Sequence, residues 1–215
     1  MIYAMLVASL LSTLVHGTTM TTMPINDQHK TPAHFTSRLD LERLHDIRKQ
    51  ADAILVGRNT LEADQMTMAI PGLPPHDQPW RCVITEKGLL DPQHPFFQSE
   101  GGPRHIITSS IADLSSFPAT IHQLDLAEWL HWLDHETQIE TLLCEGGGSL
   151  VKNLFQLNLV DTIHLTLASH SIFGGQEAPS ITGLPGDYLP ASRHYRLEIL
   201  EEGAEGEFFL TYQKG

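Results

Sequence analysis

The chain has 215 residues, 41% hydrophobic and 18% charged, which suits a folded globular protein and excludes an intrinsically disordered one. Its 26 acidic against 13 basic side chains give a formal net charge of −13, with no lysine- or arginine-rich stretch. That balance argues against nucleic acid or an anionic membrane as the main partner. The two cysteines, Cys82 and Cys144, each lie in an apolar run and read as buried thiols of a reducing cytoplasm, not a disulfide framework.

The apolar start of the chain, residues 1–15, lacks a positive n-region and a small-x-small cleavage site. It is also too short to cross a bilayer as a helix, so a buried strand is expected over 2–11. Residues 14–32 are polar and threonine-rich and read as a long loop. A helix is expected to open at 36–40, where Ser37 followed by Asp40 resembles a capping box with Asp in place of Glu. Leu41, Leu44, Ile47 and Ala51 supply its apolar face, and Arg48 lies on it.

A short strand at 53–56 ends at Gly57, and a second helix follows over 58–63, with Thr60 and Asp64 four positions apart. Residues 71–79 form a proline-rich loop; strands are expected at 81–85 and 104–108, the latter followed by Ser109 and Ser110. An amphipathic helix covers 126–133, where Trp129 and Trp132 pack. After a strand at 140–144 and a helix at 150–157 comes a strand at 163–168. An antiparallel hairpin, 195–200 with 208–212, closes the chain around Gly203 and Gly206. Strands alternating with helices indicate an α/β protein with a largely parallel sheet and an antiparallel end.

Within this pattern the run Leu143-Cys144-Glu145-Gly146-Gly147-Gly148-Ser149-Leu150 is the most informative. A short apolar strand ends in an acid, three glycines turn, and a helix begins. Glycine admits positive φ and close backbone approach, and the free amides of a helix start favour a phosphate. The run is neither the dinucleotide fingerprint nor a P-loop, so by itself it indicates either a nucleotide-phosphate cradle or a plain turn.

Several blocks in chain order resemble one family. They are Arg48 to Thr60 with Asp64 beyond, the glycine block just quoted, the strand from Leu159 to Leu167, Ile172-Phe173-Gly174-Gly175 with Ala178-Pro179, and Phe209-Leu210-Thr211-Tyr212. Together they resemble the riboflavin-biosynthesis pyrimidine reductases, the RibD C-terminal-domain family, whose fold is dihydrofolate-reductase-like. The resemblance implies a mostly parallel central sheet flanked by helices with a C-terminal antiparallel hairpin, in a single domain over residues 1–215.

It also implies an activity. The ribose of a 5-phosphoribosylamino-pyrimidine is reduced to its ribityl form with NADPH, hydride reaching C1′ as the ring opens, as in a 5-amino-6-(5-phosphoribosylamino)uracil reductase. Carried over position by position, Thr60, Asp64, Gly147, Gly148, Ser149, Leu150 and Val151 fall on cofactor-binding positions. Arg48 and Glu145 fall on substrate-binding positions, where Arg48 suits a phosphate and Glu145 suits amino or hydroxyl donors. A cytoplasmic homodimer is implied as well. No catalytic residue is assigned.

The chain departs from the family pattern in its first strand. The expected Ser-Leu-Asp-Gly aligns with Ser9-Leu10-Leu11-Ser12, or with His16-Gly17 after a shift, and the Asp is absent from both. The neighbourhoods of Pro32, His34 and Pro71 depart from the substrate pattern too. The alternatives are therefore a dihydrofolate-reductase-like NADPH reductase with another substrate, or a non-catalytic nucleotide-binding paralogue. The 13 histidines show no H-E-x-x-H or H-x-H spacing, so no metal site is expected. Cys82 and Cys144 do not form the P-C-x-x-C of the deaminase domain often fused to this reductase.

Overall fold

The computed structural model describes residues 3–11, 37–168 and 194–215. Their elements run β1 (Tyr3–Leu11), α1 (Arg38–Arg48), β2 (Ala53–Gly57), α2 (Arg58–Asp64), a 3-10 turn (Pro75–Asp77), β3 (Trp80–Ile84), α3 (Pro95–Gln98) and β4 (Arg104–Ile107). The order continues through β5 (Thr120–His122), α4 (Leu126–Glu136), β6 (Thr141–Cys144), α5 (Gly148–Gln156), β7 (Thr162–Ala168), β8 (Tyr195–Glu202) and β9 (Glu207–Lys214). Two units divide these elements: His45–Glu145, and Ala4–Leu44 with Gly146–Gly215.

The first unit carries five parallel strands in the order β5-β4-β3-β2-β6. Ala53, Ile54, Leu55 and Val56 are all fully buried, as expected of a central parallel strand covered on both faces. Val83, Ile106, Ile107, Leu142 and Leu143 continue this core. Asp52 pins the sheet's N-terminal edge: its carboxylate accepts from the amides of Glu140 and Thr141 at 2.9 and 2.8 Å. On α4, Trp129 is fully buried and the Trp132 ring packs tilted against His122 at 4.5 Å, so both tryptophans pack as expected.

Two elements of this unit were not expected, α3 and β5. They span four and three residues, too short for a period to register. His94 starts α3, its Nδ1 accepting from Phe96 N. Arg81, the second residue of β3, is also fully buried. It donates to Gly102 O, Thr67 O and Ser99 Oγ, each at 3.0 Å, and so ties two loops to β3.

The second unit pairs β1 parallel to β7, β7 antiparallel to β9 and β9 antiparallel to β8. That is the predicted terminal hairpin, with a bulge between Leu197 and Ile199. Leu150, Val151, Leu154 and Phe155 bury one face of α5. The start of α1 docks through polar contacts. The Ser37 amide and hydroxyl both donate to the buried Glu207 carboxylate, while Ser37 Oγ accepts from Asp40 N at 3.2 Å. Only half of the predicted capping box therefore forms. The Asp40 carboxylate accepts instead from Thr166 Oγ1, and Glu207, 170 residues away, takes the amide it would have capped.

Candidate functional site

In the first unit the chain steps outward from β2 through β3, β4 and β5, then returns to place β6 on the other side of β2. The direction of winding thus reverses between β2 and β6. In open parallel sheets the crevice beyond the carboxyl ends at such a reversal is where ligands bind. Gly57, Ile84 and Ile107 stand level at that edge by register, and Cys144 lies opposite Leu55. The segments that leave the edge are the start of α2, the loop after Ile84, Thr108 to Ser110, and Glu145.

Glu145 extends β6 by one residue, its amide donating to Leu55 O at 3.0 Å. Its carboxylate meets Arg48 in a two-pronged ion pair, Nε to Oε1 at 2.5 Å and Nη2 to Oε2 at 2.6 Å. The two side chains are only 8% and 3% exposed. The structure thus brings together the two residues expected to bind substrate, and it joins them to each other. Removing one partner of such a buried pair costs about 3–5 kcal/mol, because the other charge is left without compensation. His45, three residues before Arg48 on α1, is partly buried; burial first, then Arg48 and Lys49, lower its pKa, opposed by Glu145 and Asp46.

Thr60 is the third residue of α2 and is partly buried. Asp64 ends that helix one turn later, which places both on one face; its side chain lies outside the described residues. Arg58 opens the helix and contacts Asn59, Glu62 and Leu89 O. At the end of β4, Thr108 Oγ1 accepts from Ser110 N, and Ser110 Oγ accepts from Ala112 N, a run of side-chain turns that holds this loop.

In the second unit the glycine block is a turn into a helix. Gly146 and Gly147 have φ of +109° and +86°, values that L side chains rarely adopt. Gly147 is the N-cap of α5 without any side-chain cap, and a Cβ built on Gly146 meets nothing within 4 Å. Among the described residues, no side chain caps the helix start. Val151 N donates to Gly147 O at 3.0 Å, so its amide is spent within the helix. The amides of Gly148, Ser149 and Leu150 occupy the positions of a helix start that lack an intrahelical acceptor. Leu150 and Val151 turn their side chains into the core.

The backbone of Ser9, Leu10 and Leu11 lies in β1. Ser12, His16, Gly17, Pro32, His34, residues 172–175 and residues 178–179 lie outside the described residues. Pro71 is exposed, in a loop held by Gln78, whose carboxamide bonds Ile70 at both N and O and also Leu73 O. Among the described residues no group of three or more His, Cys, Asp or Glu is placed to hold a metal, and no helix is long and apolar enough to cross a membrane.

Comparison with known proteins bears on the family and the fold. The family model for the RibD C-terminal domain matches residues 24–203. This chain belongs to the RibD C-terminal domain family. Two archaeal members are similar in sequence, both called 2,5-diamino-6-ribosylamino-4(3H)-pyrimidinone 5′-phosphate reductase. The one from Methanothermobacter thermautotrophicus is 29% identical over 183 residues, 80% of this chain and 83% of that protein. The one from Archaeoglobus fulgidus is 25% identical over 199 residues, 83% of this chain and 89% of that protein.

Among solved structures, Acinetobacter baumannii RibD superposes with a TM-score of 0.77 at 17% identity, covering 100% of this chain. The RibD C-terminal domain family member described here spans 58% of that longer protein. The riboflavin biosynthesis reductase of Saccharomyces cerevisiae matches with a TM-score of 0.65 at 16% identity, covering 100% of this chain and 90% of that one. At these identities the likeness establishes the fold: a parallel sheet with helices and an antiparallel end, the dihydrofolate-reductase-like arrangement the sequence resemblance implied.

Proposed function

We propose that this chain is an NADPH-dependent reductase of riboflavin biosynthesis, reducing the ribose of a phosphoribosylamino-pyrimidine to the ribityl form. The observation that carries the reading is the segment 145–150: a buried acid held by Arg48 runs directly into an uncapped helix start made open by two positive-φ glycines. The amides of Gly148, Ser149 and Leu150 suit a cofactor phosphate, and a Cβ at Gly147 or Gly146 would strain the turn that presents them. Thr60 and Asp64, on one face of α2, are the further cofactor contacts, with Val151 supporting the turn by packing.

Bound there, NADPH supplies the hydride that C1′ takes up. The protein's part is to orient and to polarise. The Glu145 carboxylate, fixed at the sheet's switch point, accepts hydrogen bonds from amino or hydroxyl groups of the substrate. The names of the archaeal relatives indicate the 2,5-diamino-pyrimidinone 5′-phosphate as substrate, which differs from the uracil form only in carrying an amino group at C2 instead of an oxo group. We also place the chain in the cytoplasm, where its buried thiols Cys82 and Cys144 stay reduced, and expect a homodimer.

The test is NADPH titration by fluorescence, followed by NADPH oxidation with each of the two pyrimidine phosphates. Tight binding with turnover of either supports the reading, and the faster of the two identifies the ring. Absence of binding at millimolar cofactor overturns it. Binding with no turnover of either points to the paralogue, or to another substrate, that the missing first-strand acid suggests.

A further inference from the structure

We infer that Arg48 is a positioning residue of this reaction: it orients the Glu145 carboxylate and does not itself bind the substrate's phosphate. The inference rests on the reductase reading above. A guanidinium recognises phosphate best through two parallel N–H groups on one edge. In this structure the Nε and Nη2 edge of Arg48 is filled by both oxygens of Glu145, at 2.5 and 2.6 Å. A phosphate seeking that edge would have to displace the carboxylate and then lie beside it, anion against anion.

The backbone explains what the pair achieves. Glu145 N is tied to Leu55 O, so its Cα is fixed by the β2–β6 pairing. Arg48 is fixed from the other side, its carbonyl accepting from Ala51 N in the turn that ends α1. With both ends held, the two-pronged bond selects one orientation of the carboxylate. Each carboxylate oxygen has about two acceptor sites, and Arg48 takes one from each. The remaining sites stay available, in a set direction, for donors on the substrate. Arg48 thus acts on the substrate only through Glu145, and the phosphate is held by other groups of the site.

The test compares Arg48→Met, Arg48→Lys, Glu145→Gln and the double variant Arg48→Met/Glu145→Gln, each on the 5′-phosphorylated pyrimidine and on the same ribosylamino-pyrimidine lacking its phosphate. Rates are taken per NADPH-binding site, so that loss of folded protein does not count. A misaligned group costs about 100-fold in kcat; Arg48→Met is expected to do so with KM nearly unchanged and with the same loss on both substrates. Lysine makes a single point contact and should restore only part of kcat. The double variant, which removes both charges together and is the one best able to fold, should be no slower than Glu145→Gln alone.

If Arg48 bound the phosphate, its replacement would raise KM for the phosphorylated substrate and leave the other untouched. That outcome, or a double variant much slower than Glu145→Gln, or full recovery by lysine, overturns the inference while the reductase reading stands. A wild-type protein that oxidises no NADPH with either pyrimidine overturns both.

Discussion

Gly147 and Gly148 are neighbours with different demands. Gly147 needs its φ of +86°, so any side chain there strains the fold as well as the cradle. Gly148 is the first residue of α5 and is not among the positive-φ glycines, so its backbone conformation is one that alanine adopts. We expect Gly148→Ala to leave the melting temperature unchanged or slightly raised, since alanine is favoured over glycine in a helix by about 0.5–1 kcal/mol. It should weaken NADPH about tenfold, equivalent to about 1.4 kcal/mol, by intruding on the backbone approach. Fluorescence titration beside a thermal melt checks both, and unchanged affinity would refute the cradle. The glycine types were legible in the sequence because only glycine fits such a turn. The pairing of Arg48 with Glu145 was not, because the partners are 97 residues apart and either side chain suits many partners.

Helices and strands of moderate length were legible from their apolar periods, with bounds shifted by up to three residues, as at the end of α4. The docking of α1 was not. Its local signal, Ser37 with Asp40, predicts a self-contained cap, yet the cap is completed by Glu207 on β9. Glu207 is fully buried and serves the Ser37 amide and hydroxyl at once. Glu207→Ala leaves both donors without their acceptor in the interior. A buried polar group left unsatisfied costs about 1–3 kcal/mol, so we expect a loss of about that size or more in urea denaturation. Glu207→Gln, which keeps one acceptor oxygen, should lose less. A change within error for Glu207→Ala would mean that the helix start is held by other contacts, such as those of Arg43 with Thr166 and Leu210 O.

For the molecule as a whole, neutral histidines, His105 buried and His164 half-buried, set an acid limit. In the first unit His105 meets His122, Nδ1 to Nε2 at 2.9 Å, and stacks on Trp80 at 4.1 Å. Burial, and then the neighbouring His122, push its pKa down to about 4. In the second unit His164 is lowered to about 4 by burial, and then by Arg43. Unfolded, each histidine takes up a proton near its ordinary value of about 6.5. Their contribution to stability is therefore complete above about 6.5 and is lost progressively as the pH falls toward 4. Melting temperatures measured across that window should fall steadily. His122→Gln should flatten the slope by removing one titrating ring and its repulsion of His105. A flat profile for the wild-type chain would contradict the neutral state of these rings.

The sequence by itself determined the class of fold, the order of its longer elements and the glycine turn. These rest on periods and backbone preferences that act within a few residues of each other. Only the tertiary structure decided that β6 returns beside β2, creating the switch point where Glu145 emerges. It also decided that Arg48 is answered by Glu145 and Ser37 by Glu207. A charge or a hydroxyl in a sequence states what it can bond to, but which partner it meets depends on packing, over 97 and 170 residues of chain in these two cases.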